Sequence, residues 1–113
     1  MIKTVYFMKR KPGLSRSEFR TYYEDVHRKM GEKVLGTLAA RYVRHYLDPV
    51  RVPEGTPAYD VVTEIWFTNR ELYERGMEEL AQDDFIADLM RLFDMDGAAQ
   101  YLFEDSESDL SDD

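Results

Sequence analysis

Two histidines and one strand carboxylate, His27, His45 and Glu64, are the residues of this chain best suited to proton chemistry. A free imidazole titrates near ~6.5, so two of them can serve as acid and base in a dehydration or an enolisation at neutral pH. His27 lies in the stretch EFRTYYEDVHRKM, residues 18–30, where Phe19, Tyr22, Tyr23, Val26 and Met30 recur at helical spacing. A helical wheel puts His27 at the edge of that stripe, on the flank of Arg20 and Tyr23, with Tyr23 one turn earlier. An edge position suits a group lining a cleft, with one ring nitrogen held by the protein and the other turned to a ligand. It also suits a helix-end histidine that bonds terminal carbonyls. His45 alternates with Arg41, Val43 and Leu47, away from Tyr42, Arg44 and Tyr46, and alternation alone does not choose which set faces a pocket.

Glu64 and Trp66 share one strand face, opposite Thr63, Ile65 and Phe67. A carboxylate beside an indole in a water-poor cleft has its charged form disfavoured and becomes a proton donor or base. The plainer reading pairs Glu64 with an arginine and makes Trp66 a packing residue. Tyr6, Tyr23, Trp66 and Tyr101 are the candidate ligand-binding residues, and Tyr22, Tyr42 and Tyr46 add further phenols. Such a lining suits a flat aromatic or polyketide-like ligand. Met8, Met30, Met77, Met90 and Met95 read as core filler.

These residues need elements to position them. MIKTVYFMKRK alternates up to Pro12-Gly13 and predicts a first strand. Ser15 and Glu18 have capping-box spacing and open the helix of residues 15–30, with Gly31 and Gly36 bracketing its end. ARYVRHYLD predicts a second strand, DPVRVPEGTPAY a proline-rich loop, and DVVTEIWF a third strand. A second capping box, Thr68 to Glu71, opens a helix with Leu72, Tyr73, Met77 and Leu80 inward. Asp83-Asp84 caps a short helix bearing Phe85, Leu89, Leu92 and Phe93; DMDG is a turn, and AAQYLFE the last strand. The order β-α-β-β-α-(α)-β is the split βαβ of ferredoxin-like α+β folds: a four-stranded antiparallel sheet with helices on one face. Bulky apolar residues on the bare face, Trp66 or Ile65 and Tyr101 or Leu102 among them, predict a homodimer interface.

A chain of 113 residues fits one domain and can bury about two thirds of its unfolded surface. With 23 acidic against 15 basic residues, its net charge of -8 repels phosphate, which argues against nucleic acid and anionic membrane as partners. Residues 105–113 belong to a run of acidic side chains with no basic one and are predicted to be disordered, leaving 1–104 as the domain. The absence of cysteine excludes disulfides and thiolate chemistry, and MIKTVYFMKRKPG lacks the apolar core of a signal peptide. A cytoplasmic location is therefore expected. Two distant histidines without a His-Glu-x-x-His spacing predict no metal site, and no glycine-rich cradle predicts a nucleotide. No cofactor is expected, although heme or flavin needs only a pocket, and His27 or His45 could supply an axial ligand.

The segments MIKTVYFMKRKPGLSRSEFRTYYEDVHRKM, VVTEIWF and FDMDGAAQYLFEDSE, in that order, closely resemble the EthD-domain proteins of the dimeric α/β-barrel superfamily. The aromatic-x-x-x-His ending of the first helix and the strand ending Glu-x-Trp-Phe carry the resemblance, which leaves the proline-rich loop without a counterpart. It implies two ferredoxin-like subunits packed sheet to sheet, each with a small pocket between sheet and helices, and a histidine at position 27. It also implies a small-molecule enzyme acting on an aromatic, polyketide-like or xenobiotic compound by lyase, isomerase or oxidative chemistry. The alternatives are a non-catalytic binding or accessory subunit of an oxidative degradation system and a heme-binding relative.

Overall fold

The computed structural model describes residues 1–111. The chain runs β1 (Ile2–Arg10), α1 (Arg16–Tyr22), a π-helical turn (Tyr23–His27), α2 (Arg28–Leu35), β2 (Arg41–Tyr46) and β3 (Val61–Phe67). It continues through α3 (Arg70–Leu80), α4 (Asp83–Leu92) and β4 (Phe93–Leu102). The four strands pair antiparallel in the order β2-β3-β1-β4, the ferredoxin-like arrangement expected of the α+β pattern. β3 and β1 are the two central strands, and both are rich in the β-branched and aromatic residues that suit a strand flanked on both edges.

Strand alternation sorts the side chains cleanly. Val61, Thr63, Ile65 and Phe67 of β3 are buried under the helices, together with Thr4 and Met8 of β1, while Val62, Glu64 and Trp66 take the opposite face. Against the inner face pack Phe19, Tyr23 and Phe93 at one end and Leu35, Leu38 and Phe67 at the other.

The first helix begins as its capping box predicts: the Glu18 amide donates to Ser15 Oγ at 3.0 Å and the Ser15 amide to Glu18 Oε1 at 2.9 Å. It does not continue as a regular α-helix. At the π turn the Arg28 amide reaches back five residues to the Tyr23 carbonyl, and Phe19, Tyr23, His27, Gly31 and Leu35 become the buried face. Val26, expected on the apolar stripe, is turned outward, and His27 moves from the edge of the stripe to its centre.

Three further expectations are corrected. Asn69, not Thr68, caps α3, its side chain accepting from the Leu72 amide at 3.0 Å. Gln82 precedes α4, so Asp83 and Asp84 lie in its first turn, where acidic side chains favour the positive end of the helix dipole, and Phe93 opens β4 instead of closing the helix. DMDG is no free turn: it is a bulge in β4, where Asp94 pairs with Lys9 and Ala99 with Phe7, and Gly97 takes φ 82° to absorb the extra residues. After Leu102, residues 103–111 form no helix or strand, and the Lys3 ammonium meets Asp105 at 2.6 Å. The expected disorder of 105–113 extends to residues 112–113, which lie outside the described residues.

Candidate functional site

A cavity of about 410 Å³ opens between the helices and the inner face of the sheet. Leu80 and Ala81 at the end of α3, Ile86 on α4 and Gln100 on β4 line its accessible side, and the buried Tyr23, His27, Thr63 and Phe93 its depth. The break between α3 and α4 at Ala81-Gln82 borders the cavity, with Leu80 and Ala81 on one side of it and Phe85, Ile86 and Leu89 on the other.

His27 lines this cavity and is 2% exposed. Its Nδ1 lies 2.8 Å from Asp88 Oδ2, and its ring stacks at a tilt on Phe85 and edge-on against Tyr23 and Phe93. Asp88, 1% exposed, also accepts the Tyr22 hydroxyl and lies 3.6 Å from the Arg91 guanidinium. A carboxylate acting as acceptor fixes the imidazole with its proton on Nδ1. Nε2 has no hydrogen bond among the described residues; since no sealed side-chain nitrogen or oxygen among them lacks a partner, Nε2 keeps access to the cavity. Burial lowers the His27 pKa below its ordinary value, against the opposing pull of the Asp88 hydrogen bond and charge. The ring is therefore neutral at pH 7, with a lone pair available on Nε2.

Hydroxyls supply most of the other polar atoms. Tyr23 Oη and Thr63 Oγ1 are 2.8 Å apart, the Tyr42 hydroxyl donates to Tyr23 Oη at 3.3 Å, and the Tyr6 hydroxyl donates to the Met77 sulfur at 3.4 Å. Burial raises the pKa of Tyr6, Tyr23 and Tyr42, so all three stay protonated. Among the described residues, no Asp, Glu, Lys or Arg lines the cavity.

Of the seven residues expected at the site, His27, Tyr23 and Tyr6 line the cavity. His45, Glu64, Trp66 and Tyr101 do not: period-two alternation places them on the outer sheet face, with the sheet between them and His27. There Glu64 accepts from the Trp66 indole at 3.1 Å and lies 2.5 Å from His45 Nε2, while Arg41 and Lys3 sit over the Trp66 ring at 4.7 and 4.3 Å. The expected placement of Glu64 beside an indole holds, but in a charged surface network instead of a dry cleft. Tyr46, with Arg44, is bound to Glu24 and ties β2 to the π turn; the Arg44 hydrogen bonds hold the Glu24 carboxyl below the ordinary range.

Asp88, the partner of His27, is not among the residues expected at the site. Its signal is a lone carboxylate at i+3 from Phe85 and i−4 from Leu92, inside an otherwise apolar helix stripe, which demands a buried partner. No group of three or more His, Cys, Asp or Glu among the described residues could hold a metal ion.

The chain is thus an α+β domain with a ferredoxin-like sheet, a pocket under its helices and a carboxylate-held histidine in that pocket. The family model of the EthD domain matches residues 11–96, and the chain belongs to that family. An EthD-like protein from Ralstonia eutropha is similar in structure at 20% identity and TM-score 0.62, over 90% of this chain and 87% of that one. A dimeric protein of ferredoxin-like fold from Bacteroides fragilis shares 10% identity at TM-score 0.57, covering 91% of this chain and 94% of that one. SnoaB, a cofactor-independent oxygenase from Streptomyces nogalater, shares 14% identity at TM-score 0.56, covering 97% of each chain. Among curated proteins none matches.

Proposed function

We propose that this protein is a homodimeric enzyme that moves a proton on an uncharged aromatic or polyketide-like molecule, with His27 as the base. The observation that carries the reading is the His27–Asp88 pair: Nδ1 is committed at 2.8 Å, and Nε2 is left as the acceptor on the cavity wall. In the step proposed, Nε2 takes a proton from carbon next to a carbonyl, and the C–H electron pair passes to the oxygen as an enolate. Returning the proton elsewhere gives an isomerase; loss of a β-hydroxyl as water gives a lyase. The likeness to SnoaB, an oxygenase, supports an oxidative variant in which dioxygen takes the electrons of the same carbanion, one oxygen atom staying on that carbon as a carbonyl and the other leaving as water. Asp88 positions the ring and stabilises the imidazolium that forms.

The test is exchange of the methyl protons of 2-acetonaphthone in D₂O, followed by NMR with wild type, His27→Gln and Asp88→Asn. A positioned general base contributes about 10²–10⁴-fold, so His27→Gln should lose at least ~10² of the protein-dependent rate. Exchange that survives His27→Gln contradicts the assignment, and saturable ligand binding with no exchange in wild type makes the protein a binding or accessory protein.

A further inference from the structure

We infer that Tyr42 determines the specificity of this pocket: its hydroxyl holds the carbonyl oxygen of an uncharged ketone, and Gly31 is the residue that makes room for it. The inference rests on the reading that this cavity holds the substrate.

The lining decides the charge of the ligand first. A carboxylate or phosphate entering the cavity would shed its water and meet no Lys or Arg, on a chain whose net charge is already -8. A neutral ligand escapes that penalty and needs only hydrogen-bond donors for its oxygen.

The donors are not equally free. A single 2.8 Å hydrogen bond joins Tyr23 and Thr63 and engages both hydroxyl oxygens with one proton, and the Gln100 amide donates to Thr4 Oγ1 at 3.0 Å. Tyr42 is held only by a 3.3 Å bond to Tyr23 Oη, long against the usual ~2.7–2.8 Å of an O–H···O bond. It is the longest O–H···O bond among the hydroxyls of the lining, so its proton is readily turned to a ligand. The Arg44 guanidinium lies 4.8 Å from the centre of the Tyr42 ring, and a cation over the face draws electron density from the phenol and strengthens its O–H as a donor.

Position favours the same residue. A Cβ built on Gly31 would lie 3.0 Å from Tyr42 Oη and 3.1 and 3.2 Å from Cε2 and Cζ, so the hydroxyl rests against the helix where only glycine leaves space. Gly31 is four residues beyond His27, about 6 Å along the helix axis. The Tyr42 hydroxyl, resting on Gly31, is therefore offset from His27 by roughly one helical turn in the same cavity, an arrangement suited to a ligand whose acidic C–H and carbonyl oxygen are adjacent. Tyr6, the other weakly held phenol, donates to the Met77 sulfur from β1, two strands away from Tyr42 on β2.

The experiment measures binding, by quenching of ligand fluorescence or by calorimetry, of 2-acetonaphthone, its hydrocarbon isostere 2-isopropenylnaphthalene, and 2-naphthoate. Wild type should bind the ketone in preference to the hydrocarbon and bind the carboxylate at least tenfold more weakly. Tyr42→Phe should cut ketone affinity several-fold, the loss of about one hydrogen bond, while the hydrocarbon binds as before. Gly31→Ala, which pushes the hydroxyl aside without removing it, should erode the same ketone preference. The hydrocarbon serves as the folding control. The inference is overturned if the ketone fails to bind, if naphthoate binds as tightly, or if Tyr42→Phe leaves the ketone-to-hydrocarbon ratio unchanged. Loss of the ratio in Tyr42→Phe with no proton exchange in wild type would sustain this inference and remove the base role of His27. Exchange by wild type with the ratio intact in Tyr42→Phe would do the reverse.

Discussion

His27 carries two opposing influences, burial that disfavours its cation and an Asp88 carboxylate that favours it, and burial prevails. A histidine whose folded pKa lies below its unfolded value makes the unfolded state the better proton binder between the two values. Stability therefore falls as pH drops through the ordinary histidine range near ~6.5 towards the lower folded value, and is retained above it. Urea unfolding at a series of pH values should show this slope in wild type and a flatter one in His27→Gln; identical slopes would mean that His27 is not buried neutral. At this scale the sequence was half legible. Helical spacing singled out His27 and its neighbour Tyr23, because periodicity reports which residues share a side. It could not report Asp88, sixty-one positions away, since pairing between distant elements leaves no mark in local spacing. Strand alternation separated Glu64 and Trp66 from Thr63 and Ile65 correctly, yet gave no sign of which set lay under the helices.

Among the elements, α3 is set against β3 by Gly76, where a Cβ would come within 2.5 and 2.7 Å of the Phe67 ring. Phe67 is fully buried and has no free direction in which to retreat. Gly76→Ala should thus destabilise by about 1–3 kcal/mol through overpacking, exceeding the gain of up to ~1 kcal/mol in helix propensity. Chemical denaturation measures it, and an unchanged or raised midpoint would show that α3 can shift outward. The strands and the Ser15 cap were readable because alternation and capping boxes are local. The π turn was not: an i→i+5 bond comes from tertiary demand, here the fit of Tyr23 and His27 under the sheet, and it rotates Val26 out where a regular helix would keep it in. The bulge at Gly97 escaped for a similar reason, since Asp and Gly signal a turn and a bulge alike.

On the scale of the whole molecule, strand order and one-sided helices followed from the succession of elements, and they leave the outer sheet face with Phe7, Val62, Trp66, Tyr101 and Phe103 partly or fully exposed. Such a face predicts the homodimer proposed above. Sedimentation should find a dimer at micromolar concentration, and Trp66→Glu, which adds a second carboxylate beside Glu64, should yield a monomer; a wild-type monomer would refute the assignment. The central claim lies on the other side of that sheet, in one neutral imidazole held by Asp88 with its second nitrogen open to the cavity. Nitrogen-15 NMR of the histidine rings reads it most directly. At pH 7 His27 should carry its proton on Nδ1 with Nε2 bare, and it should titrate below the ordinary histidine value. A His27 found as imidazolium at pH 7, or protonated on Nε2, would contradict it.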